Sequence, residues 1–202
     1  MMFYILMALM GYISGSILYA KVWGRVFKRK DVTVESRDGN PGTANAFMYG
    51  GFRCGVITLI CELLKGFIPV FICMRLGKND MIGLSMVIAS PVIGHAFPVF
   101  FGFKGGKGIA VTFGSLLGMA PHIQPALIMA VFFIMFSLII RITPHFWRTV
   151  WTYICSFIII LISREIIAVK IGYCMITAVV GYKMFNSNEE RDRMKVGVLW
   201  MR

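Results

Sequence analysis

The segment GFKGGKG, residues 102–108, combines four glycines with Lys104 and Lys107, and we refer to it as the glycine loop. Glycine-rich backbone has little tendency to form a helix or strand. Its uncovered N–H groups, beside lysines, form a binding site for an anion, most often a phosphate. The segment is not a Walker P-loop, because Phe101 stands where that motif needs glycine and Gly108 where it needs serine or threonine. The alternative is a plain turn whose lysines only fix the orientation of the chain in a membrane.

Polar residues with a possible function precede the glycine loop at two places. GNPGTAN (39–45) predicts a tight turn, in which the side-chain amides of Asn40 and Asn45 can donate to a phosphate or hold a hydroxyl group. His95 lies ten residues before Gly105, at the end of an apolar run, where its imidazole can bind a phosphate or orient a hydroxyl. An ordinary turn and an interfacial histidine are the alternatives.

Two charged residues, Glu62 and Lys65, lie inside an apolar run. Three residues apart on a helix, they share one face, and charged groups at that depth in a membrane need a partner or water. We interpret them as a structural pair on a helix that faces the interior of the bundle or a polar cleft.

These residues need apolar helices to position them. The chain has 202 residues, of which 58% are hydrophobic, and its mean hydropathy of +0.77 excludes a soluble globular domain. Nearly uncharged runs of about 18 residues or more are long enough to cross a bilayer. They predict an all-α integral membrane protein with about seven transmembrane helices, near residues 2–20, 51–74, 80–101, 108–121, 124–140, 146–163 and 166–185. The fourth run is short, which favours a helix that crosses only part of the bilayer.

The basic residues are distributed unevenly between the two ends of these spans. With the N-terminus outside and the C-terminus cytoplasmic, the basic residues outside are Arg75, Lys78 and Arg164. The cytoplasmic side then carries Lys21, Arg25, Lys28, Arg29, Lys30, Arg37, Lys104, Lys107, Arg141, Arg148, Lys183, Arg191, Arg193, Lys195 and Arg202. Cytoplasmic loops of membrane proteins are rich in lysine and arginine, so the distribution supports this orientation.

This orientation places residues 21–50, 102–108 and 186–202 on the cytoplasmic side of a single membrane-embedded domain, residues 1–202. A turn that only fixes orientation does not need four glycines, so this convergence favours an anion site. The basic residues behind the net charge of +12 sit between spans and do not suggest a nucleic-acid partner. The five cysteines fall inside apolar runs without a CxxC pair and predict neither a disulfide nor a metal site. No cofactor is expected, and the sequence indicates no oligomeric state.

Together these motifs resemble those of the bacterial acyl-phosphate:glycerol-3-phosphate acyltransferases, the PlsY family. GHAFPVFFGFKGGKGIA (94–110) is similar to the second motif of that family almost residue for residue. GNPGTAN followed by LLKG (63–66) resembles the first motif and the helix after it. The resemblance implies a seven-helix protein of the bacterial inner membrane with its active site facing the cytoplasm. It also implies transfer of an acyl chain from acyl phosphate to the sn-1 hydroxyl of glycerol 3-phosphate, giving lysophosphatidic acid in phospholipid synthesis.

The resemblance implies roles for individual residues as well. It assigns catalysis to His95, Asn40 and Asn45, and substrate binding to Asp38, Gly42, Lys104, Gly105, Gly106, Lys107, Gly108 and Arg193. An acyl phosphate is already an activated anhydride, so the site needs no protein nucleophile. It has to position two phosphates and stabilise charge on the departing one. The implied partners are acyl phosphate, glycerol 3-phosphate and the lipid bilayer, with the acyl chain in an apolar groove between helices.

The first motif departs from the family pattern at three positions. Asp38 replaces a serine, and its carboxylate would repel a phosphate unless a cation neutralises it; Arg37 and Arg53 are the candidates. Ala44 replaces a threonine, and Met48 replaces an arginine that is expected to bind phosphate.

The tail matches the third motif of the family only in part. Arg193 and Gly197 align with its arginine and glycine. Ser187 then stands at its histidine and Glu190 at its asparagine, although a small shift brings Asn188 there instead. Two alternative functions therefore stay open: a catalytically lapsed relative of these enzymes, and a membrane carrier that binds a phosphate-bearing lipid precursor.

Overall fold

The computed structural model of the chain describes residues 1–28, 31–36, 38–77, 80–189 and 191–199. Most of these residues lie in helices. In chain order the elements are α1 (Met2–Gly15), α2 (Tyr19–Lys28), α3 (Val32–Glu35), α4 (Thr43–Gly50), α5 (Phe52–Leu76), α6 (Met81–Ala96), a 3-10 turn (Val99–Phe101), α7 (Ile109–Leu117), α8 (Gln124–Ile134), a π turn (Met135–Ile139), β1 (Ile140–Thr143), α9 (His145–Ile162), α10 (Ile167–Phe185) and β2 (Lys195–Val198).

Five helical segments within the described residues are long and apolar enough to cross a bilayer: Met2–Phe27, Phe52–Leu76, Met81–Phe101, His145–Ile162 and Ile167–Phe185. Two of the seven predicted spans are shorter. Helix α7 has nine residues, about 14 Å of helix against a hydrocarbon core of roughly 30 Å. The apolar helix Gln124–Ile139 also falls below the spanning length. The chain is therefore a mostly helical, multi-pass membrane protein, while the count of seven spans and the orientation of the termini stay predictions.

The outer surface of the helices carries large apolar side chains. Those exposed on α1 and α5 include Leu6, Leu9, Ile13, Ile60, Leu64 and Ile68. Water-soluble proteins rarely expose contiguous apolar faces of this kind, whereas lipid covers them in a bilayer. These faces mark the part of the bundle that lies in the hydrocarbon core.

Helix α6 lies between α1 and α10 and is the most buried of the spanning helices in the described residues. Its contact with α1 depends on small residues. A β-carbon at Gly94 would overlap the carbonyl oxygen of Tyr12, and one at Gly15 would overlap that of Pro91. Small residues let membrane helices approach closely and gain van der Waals contact. Tyr12 Oη also donates to Phe97 O at 2.7 Å, which fixes the end of α6.

The prediction of an all-α chain is corrected by a short two-stranded antiparallel sheet. Strand β1 follows the π turn and β2 lies in the tail, with Ile140 opposite Val198 and Thr143 opposite Lys195. Ile140 was expected to end a membrane span, but the sequence IRIT alternates β-branched residues in a way that favours a strand. The sheet attaches the tail to the segment before α9 and so holds it against the bundle.

Candidate functional site

A polar pocket of about 480 Å³ lies where the ends of α6 and α10 meet the loop after α2 and the glycine loop. The structure thereby brings together the three segments that the charge distribution placed on one side of the membrane. Its lining residues are Lys21, Asp38, Gly39, Asn40, Pro41, Phe97, Phe103, Lys104, Gly105, Gly106, Lys107, Tyr182, Lys183, Asn186, Ser187 and Asn188.

The glycine loop packs directly against the end of α6. A β-carbon at Gly105 would overlap the carbonyl oxygen of His95. One at Gly106 would come within 2.5 Å of His95 Nε2 and 2.6 Å of Asn40 Oδ1. Gly108 precedes α7 with a φ of +75°, a conformation that glycine adopts without strain. The glycines therefore allow the loop to lie beside the imidazole and the amide.

Some backbone N–H groups of the glycine loop are already used and others stay available to an anion. Those of Phe103 and Lys104 donate to Pro98 O and Phe101 O, and that of Gly106 donates to the end of α6 at 3.1 Å. The N–H groups of the other loop residues have no acceptor among the residues that the structure describes: Gly102, Gly105, Lys107 and Gly108. The uncovered backbone predicted for this loop thus amounts to four donors.

His95 is 2% exposed, and the Nδ1 atom of its ring contacts buried charged side chains. Lys65 Nζ lies 2.9 Å from Nδ1. Because an ammonium group can only donate, we assign Nδ1 as its acceptor and the ring proton to Nε2. Nε2 is the nitrogen beside Gly106 and Asn40, which line the pocket in front of it. His95 therefore presents an N–H donor toward the glycine loop.

The predicted structural pair of Glu62 and Lys65 is confirmed, with Lys65 Nζ 2.9 Å from Glu62 Oε2 in the bundle interior. Lys65 also donates to Ile17 O at 2.6 Å, and Tyr19 N donates to Glu62 Oε1 at 3.3 Å. Glu62 Oε2 lies 3.0 Å from His95 Nδ1 but accepts no well-directed hydrogen bond from the described residues. The pair thus links the backbone between α1 and α2 to the imidazole of His95.

Asp38 pairs with Lys107, and the prediction that Arg53 is its partner is wrong. Lys107 Nζ lies 3.0 Å from Asp38 Oδ2 and 2.8 Å from Glu189 Oε2. Arg53 is exposed near the start of α5, because its helical position points away from the turn. Arg37, the other candidate partner, lies outside the described residues. Lys107 is only 4% exposed, so this lysine of the glycine loop is held by two carboxylates.

Asn45 holds the turn that contains Asn40. Its Nδ2 donates to Asp38 Oδ1 and to Asn40 O, both at 2.8 Å. Asn40 N also donates to Asp38 Oδ1, at 3.2 Å. Asn40 lines the pocket, whereas Asn45 lies behind it. Gly42 immediately precedes α4, and a β-carbon there would lie 2.9 Å from Asn40 Nδ2.

Both carboxylates beside Lys107 are ionised at neutral pH. Burial opposes the ionisation of Asp38, but the hydrogen bond from Asn45 and the charge of Lys107 outweigh it and hold the pKa below its ordinary 3.8. Burial also opposes the ionisation of Glu189, whose pKa nevertheless stays below 4.5 because of its hydrogen bonds with His145 and Lys107. His145 Nδ1 lies 3.0 Å from Glu189 Oε1. With one lysine between two carboxylates, this group carries a net charge of −1.

The other positive charges of the pocket are Lys21, Lys104 and Lys183. Lys21 Nζ lies 3.5 Å from Asp31 Oδ2, a carboxylate that also lies 3.5 Å from Arg25. Lys104 is exposed on the glycine loop. The three side chains come from three different parts of the chain: α2, the glycine loop and α10.

The tail reaches the pocket through residues other than the predicted Arg193. Ser187 and Asn188 line it. Arg193 is exposed just before β2 and is absent from the described lining, so its role in substrate binding stays a prediction. Glu190, aligned with an asparagine of the third motif, lies outside the described residues.

Three residues of this region were not singled out from the sequence as parts of the site: Glu189, His145 and Lys183. Glu189 offered a signal, since it is an acidic residue in an otherwise basic tail. His145 stands at the start of α9, and Lys183 was counted only as a cytoplasmic charge. Their meeting depends on how the tail folds back, which no local pattern reveals.

A larger cavity, of about 1150 Å³, lies at the opposite ends of α6 and α10. Apolar side chains such as Met81, Leu127 and Ile159 form most of its wall. It contains none of the residues to which the sequence assigned chemistry. Its size reflects a gap between helices near the membrane surface, and we place the functional site in the smaller, charged pocket.

Known proteins resemble the chain over most of this region. Residues 5–192 match the sequence profile of a family described as glycerol-3-phosphate acyltransferase. A glycerol-3-phosphate acyltransferase from Shewanella halifaxensis is 39% identical over 108 residues, which cover 54% of this chain and 51% of that protein. One from Pseudomonas aeruginosa is 38% identical over 125 residues, which cover 62% of this chain and 64% of that protein. The aligned part thus spans between half and two thirds of the length of these curated relatives.

Two solved structures share the fold over a greater length. Both are of PlsY, an integral membrane glycerol 3-phosphate acyltransferase, and both are 27% identical to this chain, covering 89% of it and 87% of the PlsY chain. The glycerol 3-phosphate form gives a TM-score of 0.76 and the lysophosphatidic acid form gives 0.73. By its profile match, which extends over nearly its whole length, the chain belongs to the glycerol-3-phosphate acyltransferase family.

Proposed function

We propose that this chain transfers an acyl chain from acyl phosphate to the sn-1 hydroxyl of glycerol 3-phosphate, forming lysophosphatidic acid and inorganic phosphate. The observation that carries the proposal is the charged pocket in which the glycine loop, the GNPG turn (residues 39–42) and the end of α10 meet. The similarity to PlsY structures in a glycerol 3-phosphate form and a lysophosphatidic acid form supports the same acceptor and product.

The pocket has donors for two phosphate groups. Lys104 stands on the glycine loop with the free N–H groups of Gly105 and Lys107. Lys21, from α2, and Lys183, from α10, supply further positive charge. A hydrogen bond to a charged group contributes about 1.5–3 kcal/mol. We assign the glycine loop to the phosphate of the acyl donor, which leaves the lysines of α2 and α10 for the phosphate of the acceptor.

The reaction needs positioning more than a protein nucleophile. The sn-1 hydroxyl oxygen attacks the carbonyl carbon of acyl phosphate, and the new ester C–O bond forms as the C–O bond to phosphate breaks. The departing phosphate takes the hydroxyl proton. His95 Nε2–H and Asn40 Oδ1 stand beside Gly106 as a neutral donor and a neutral acceptor that orient the reacting groups. Donors fixed in advance where charge develops stabilise the transition state without reorganisation.

The acyl chain extends from the pocket along apolar surface. Phe97, Phe103 and Tyr182 line the pocket. Phe103 and Tyr182 are more than half exposed, at 58% and 57%. Aromatic side chains of this kind sit at the boundary between lipid and water. A donor held with its phosphate at the glycine loop can therefore keep its hydrocarbon chain in the bilayer.

We further propose that residues 1–202 form one domain of the bacterial inner membrane, with the pocket facing the cytoplasm. The three segments that carry most of the basic residues meet at this pocket, and basic segments are typical of the cytoplasmic side. Glycerol 3-phosphate is a charged, water-soluble acceptor, so a pocket on that side gives it direct access from the cytosol.

The proposal is tested with purified protein in lipid or detergent, supplied with palmitoyl phosphate and glycerol 3-phosphate. Lysophosphatidic acid should form, and palmitoyl-CoA and palmitoyl-acyl carrier protein in parallel reactions should give none. A Lys104→Gln preparation controls for contaminating acyltransferases, because it should lose about ten- to a hundredfold of the activity. If only palmitoyl-CoA gave product, the proposal that acyl phosphate is the donor would be wrong. If no donor gave product, the chain would not be an acyltransferase, and a lapsed relative or a carrier would be favoured.

A further inference from the structure

The ammonium group of Lys107, in the glycine loop, is not available to bind a phosphate. Lys107 lies between Asp38 and Glu189, with Nζ 3.0 and 2.8 Å from their carboxylate oxygens. A lysine bound by two anions has little charge left for a third. A second phosphate held in this pocket therefore needs a different cation.

Lys183 is placed to be that cation. It extends from the last turn of α10 and lines the pocket with Phe97. Its Nζ lies 5.2 Å from the centre of the Phe97 ring, a contact that holds the ammonium in place while leaving its hydrogen-bond donors free. No carboxylate within the described residues forms an ion pair with it. Lys183 is also partly buried, so its charge is less screened by water than that of a surface lysine.

The two other lysines of the pocket are less suited to this position. Lys21 shares Asp31 with Arg25, at 3.5 Å, so part of its charge is already neutralised. Lys104 is exposed on the glycine loop, on the side that the acyl donor occupies in the proposed function. Lys183 is the lysine of the pocket for which the described residues provide an aromatic contact but no counter-charge.

The first motif explains why a cation from α10 is needed. The resemblance places a phosphate-binding arginine at residue 48, but the chain has methionine there. Met48 is 71% exposed on α4 and contributes nothing to the pocket lining that the structure describes. In addition, Asp38 adds a negative charge where the resemblance places a serine. The pocket has thus lost one cation and gained one anion relative to the family pattern, and Lys183 on α10 restores positive charge.

We propose that Lys183 binds the phosphate group of the acceptor and sets the affinity of this chain for it. The inference rests on the proposed function for the identity of the acceptor. The proposed role is in binding, because the proposed function assigns bond making and breaking to the glycine loop, His95 and Asn40, and Lys183 stands on α10 outside that group. Its removal should therefore raise KM for glycerol 3-phosphate and change kcat little.

The first test compares Lys183→Gln and Lys183→Arg with wild type. Lys183→Gln should raise KM for glycerol 3-phosphate about ten- to a hundredfold, the effect of losing one charge-assisted contact. Lys183→Arg keeps the charge and the aromatic contact and should stay within a few-fold of wild type. Lys170→Gln, at the other end of the same helix, is the matched control and should change nothing. An unchanged KM in Lys183→Gln would overturn the inference.

A second test uses the wild-type protein and does not depend on how the variants fold. An amine-reactive reagent labels lysines, and mass spectrometry gives the extent at each position. Glycerol 3-phosphate and inorganic phosphate should each protect Lys183 and leave Lys170 unprotected. If Lys183 is labelled at the same rate with and without both anions, the inference is overturned. If the protein makes no lysophosphatidic acid but inorganic phosphate protects Lys183, the proposed function fails and the anion site stands.

Discussion

Lys107 Nζ lies 3.0 Å from Asp38 Oδ2, so an ion pair joins two loops whose residues are 69 positions apart in the chain. Glu189 adds a third segment at 2.8 Å from the same nitrogen. The lysine is buried, so it stabilises the meeting of the first loop, the glycine loop and the tail. The two lysines of GFKGGKG, identical in type and three residues apart, therefore have different roles: Lys107 fixes the pocket and Lys104 faces it.

This difference predicts that two matched substitutions change the free energy of unfolding by very different amounts. Lys107→Gln leaves Asp38 and Glu189 without their shared cation and should lower the free energy of unfolding by about 3 kcal/mol. That is the low end for breaking a buried pair, because Asn45 and His145 still hold the carboxylates. Lys104→Gln, at an exposed position, should change stability by less than about 0.5 kcal/mol. Thermal or denaturant unfolding in detergent measures both, and equal losses would contradict the assignment.

Asp38 gives a second prediction, because it departs from the family pattern. Its carboxylate accepts hydrogen bonds from Asn45 and from the backbone of Asn40 and pairs with Lys107. Asp38→Ala removes all three contacts and should lower activity about tenfold or more, whereas Asp38→Asn keeps the acceptor oxygen and should lose less. Asp38→Ser, which restores the family residue, should raise KM for glycerol 3-phosphate. A lower KM in Asp38→Ser would show that the carboxylate only repels the substrate.

The residues of the site could be predicted better than their partners. The glycine loop, the asparagines of the first loop and His95 stand in short segments whose composition indicates their chemistry directly. The partner of Asp38 could not be predicted, because Lys107 is 69 residues away and Glu189 reaches it through a tail held by strand β2. Hydropathy also indicated that the fourth apolar run is too short for a full span, and α7, with nine residues, is indeed too short to cross the hydrocarbon core.

Close packing at Gly106 predicts a large effect from a single methyl group. A β-carbon at this position would lie 2.5 Å from His95 Nε2 and 2.6 Å from Asn40 Oδ1, so both groups would have to move. Gly106→Ala should therefore lower kcat at least tenfold while the helices stay folded. Gly181→Ala is the matched control, because a β-carbon there meets nothing within 4 Å. Full activity of Gly106→Ala would show that His95 and Asn40 do not take part in the reaction.

The orientation in the membrane is predicted from the charge distribution and can be tested independently of activity. In a variant without the native cysteines, Lys104→Cys and Arg164→Cys place single thiols at exposed positions of opposite ends of the bundle. A membrane-impermeant maleimide added to intact cells should label residue 164 and leave residue 104 unlabelled until the membrane is opened. Labelling of residue 104 from outside would show that the orientation is the reverse of the predicted one.

The last prediction concerns the acid side of the stability profile. Asp38 and Glu189 both have a pKa below the ordinary values of 3.8 and 4.5, because hydrogen bonds and the charge of Lys107 outweigh their burial. A lowered pKa stabilises the fold above the ordinary value, and this contribution is lost as the pH falls through the lower folded-state pKa. The unfolding temperature of wild type should therefore be level above about pH 5 and fall below about pH 4.

Glu189→Gln isolates one of these contributions. The variant should unfold at a lower temperature than wild type at pH 6, and the difference should shrink as the pH falls below 4.5 toward the lowered folded-state pKa of Glu189, because the wild-type carboxylate then takes up a proton. Glu165→Gln is the control, since Glu165 lies near the larger cavity and forms no ion pair within the described residues. A difference between wild type and Glu189→Gln that is constant from pH 6 to pH 3 would mean that Lys107 does not depend on the charge of Glu189. Its buried position would then rest on Asp38 and on packing.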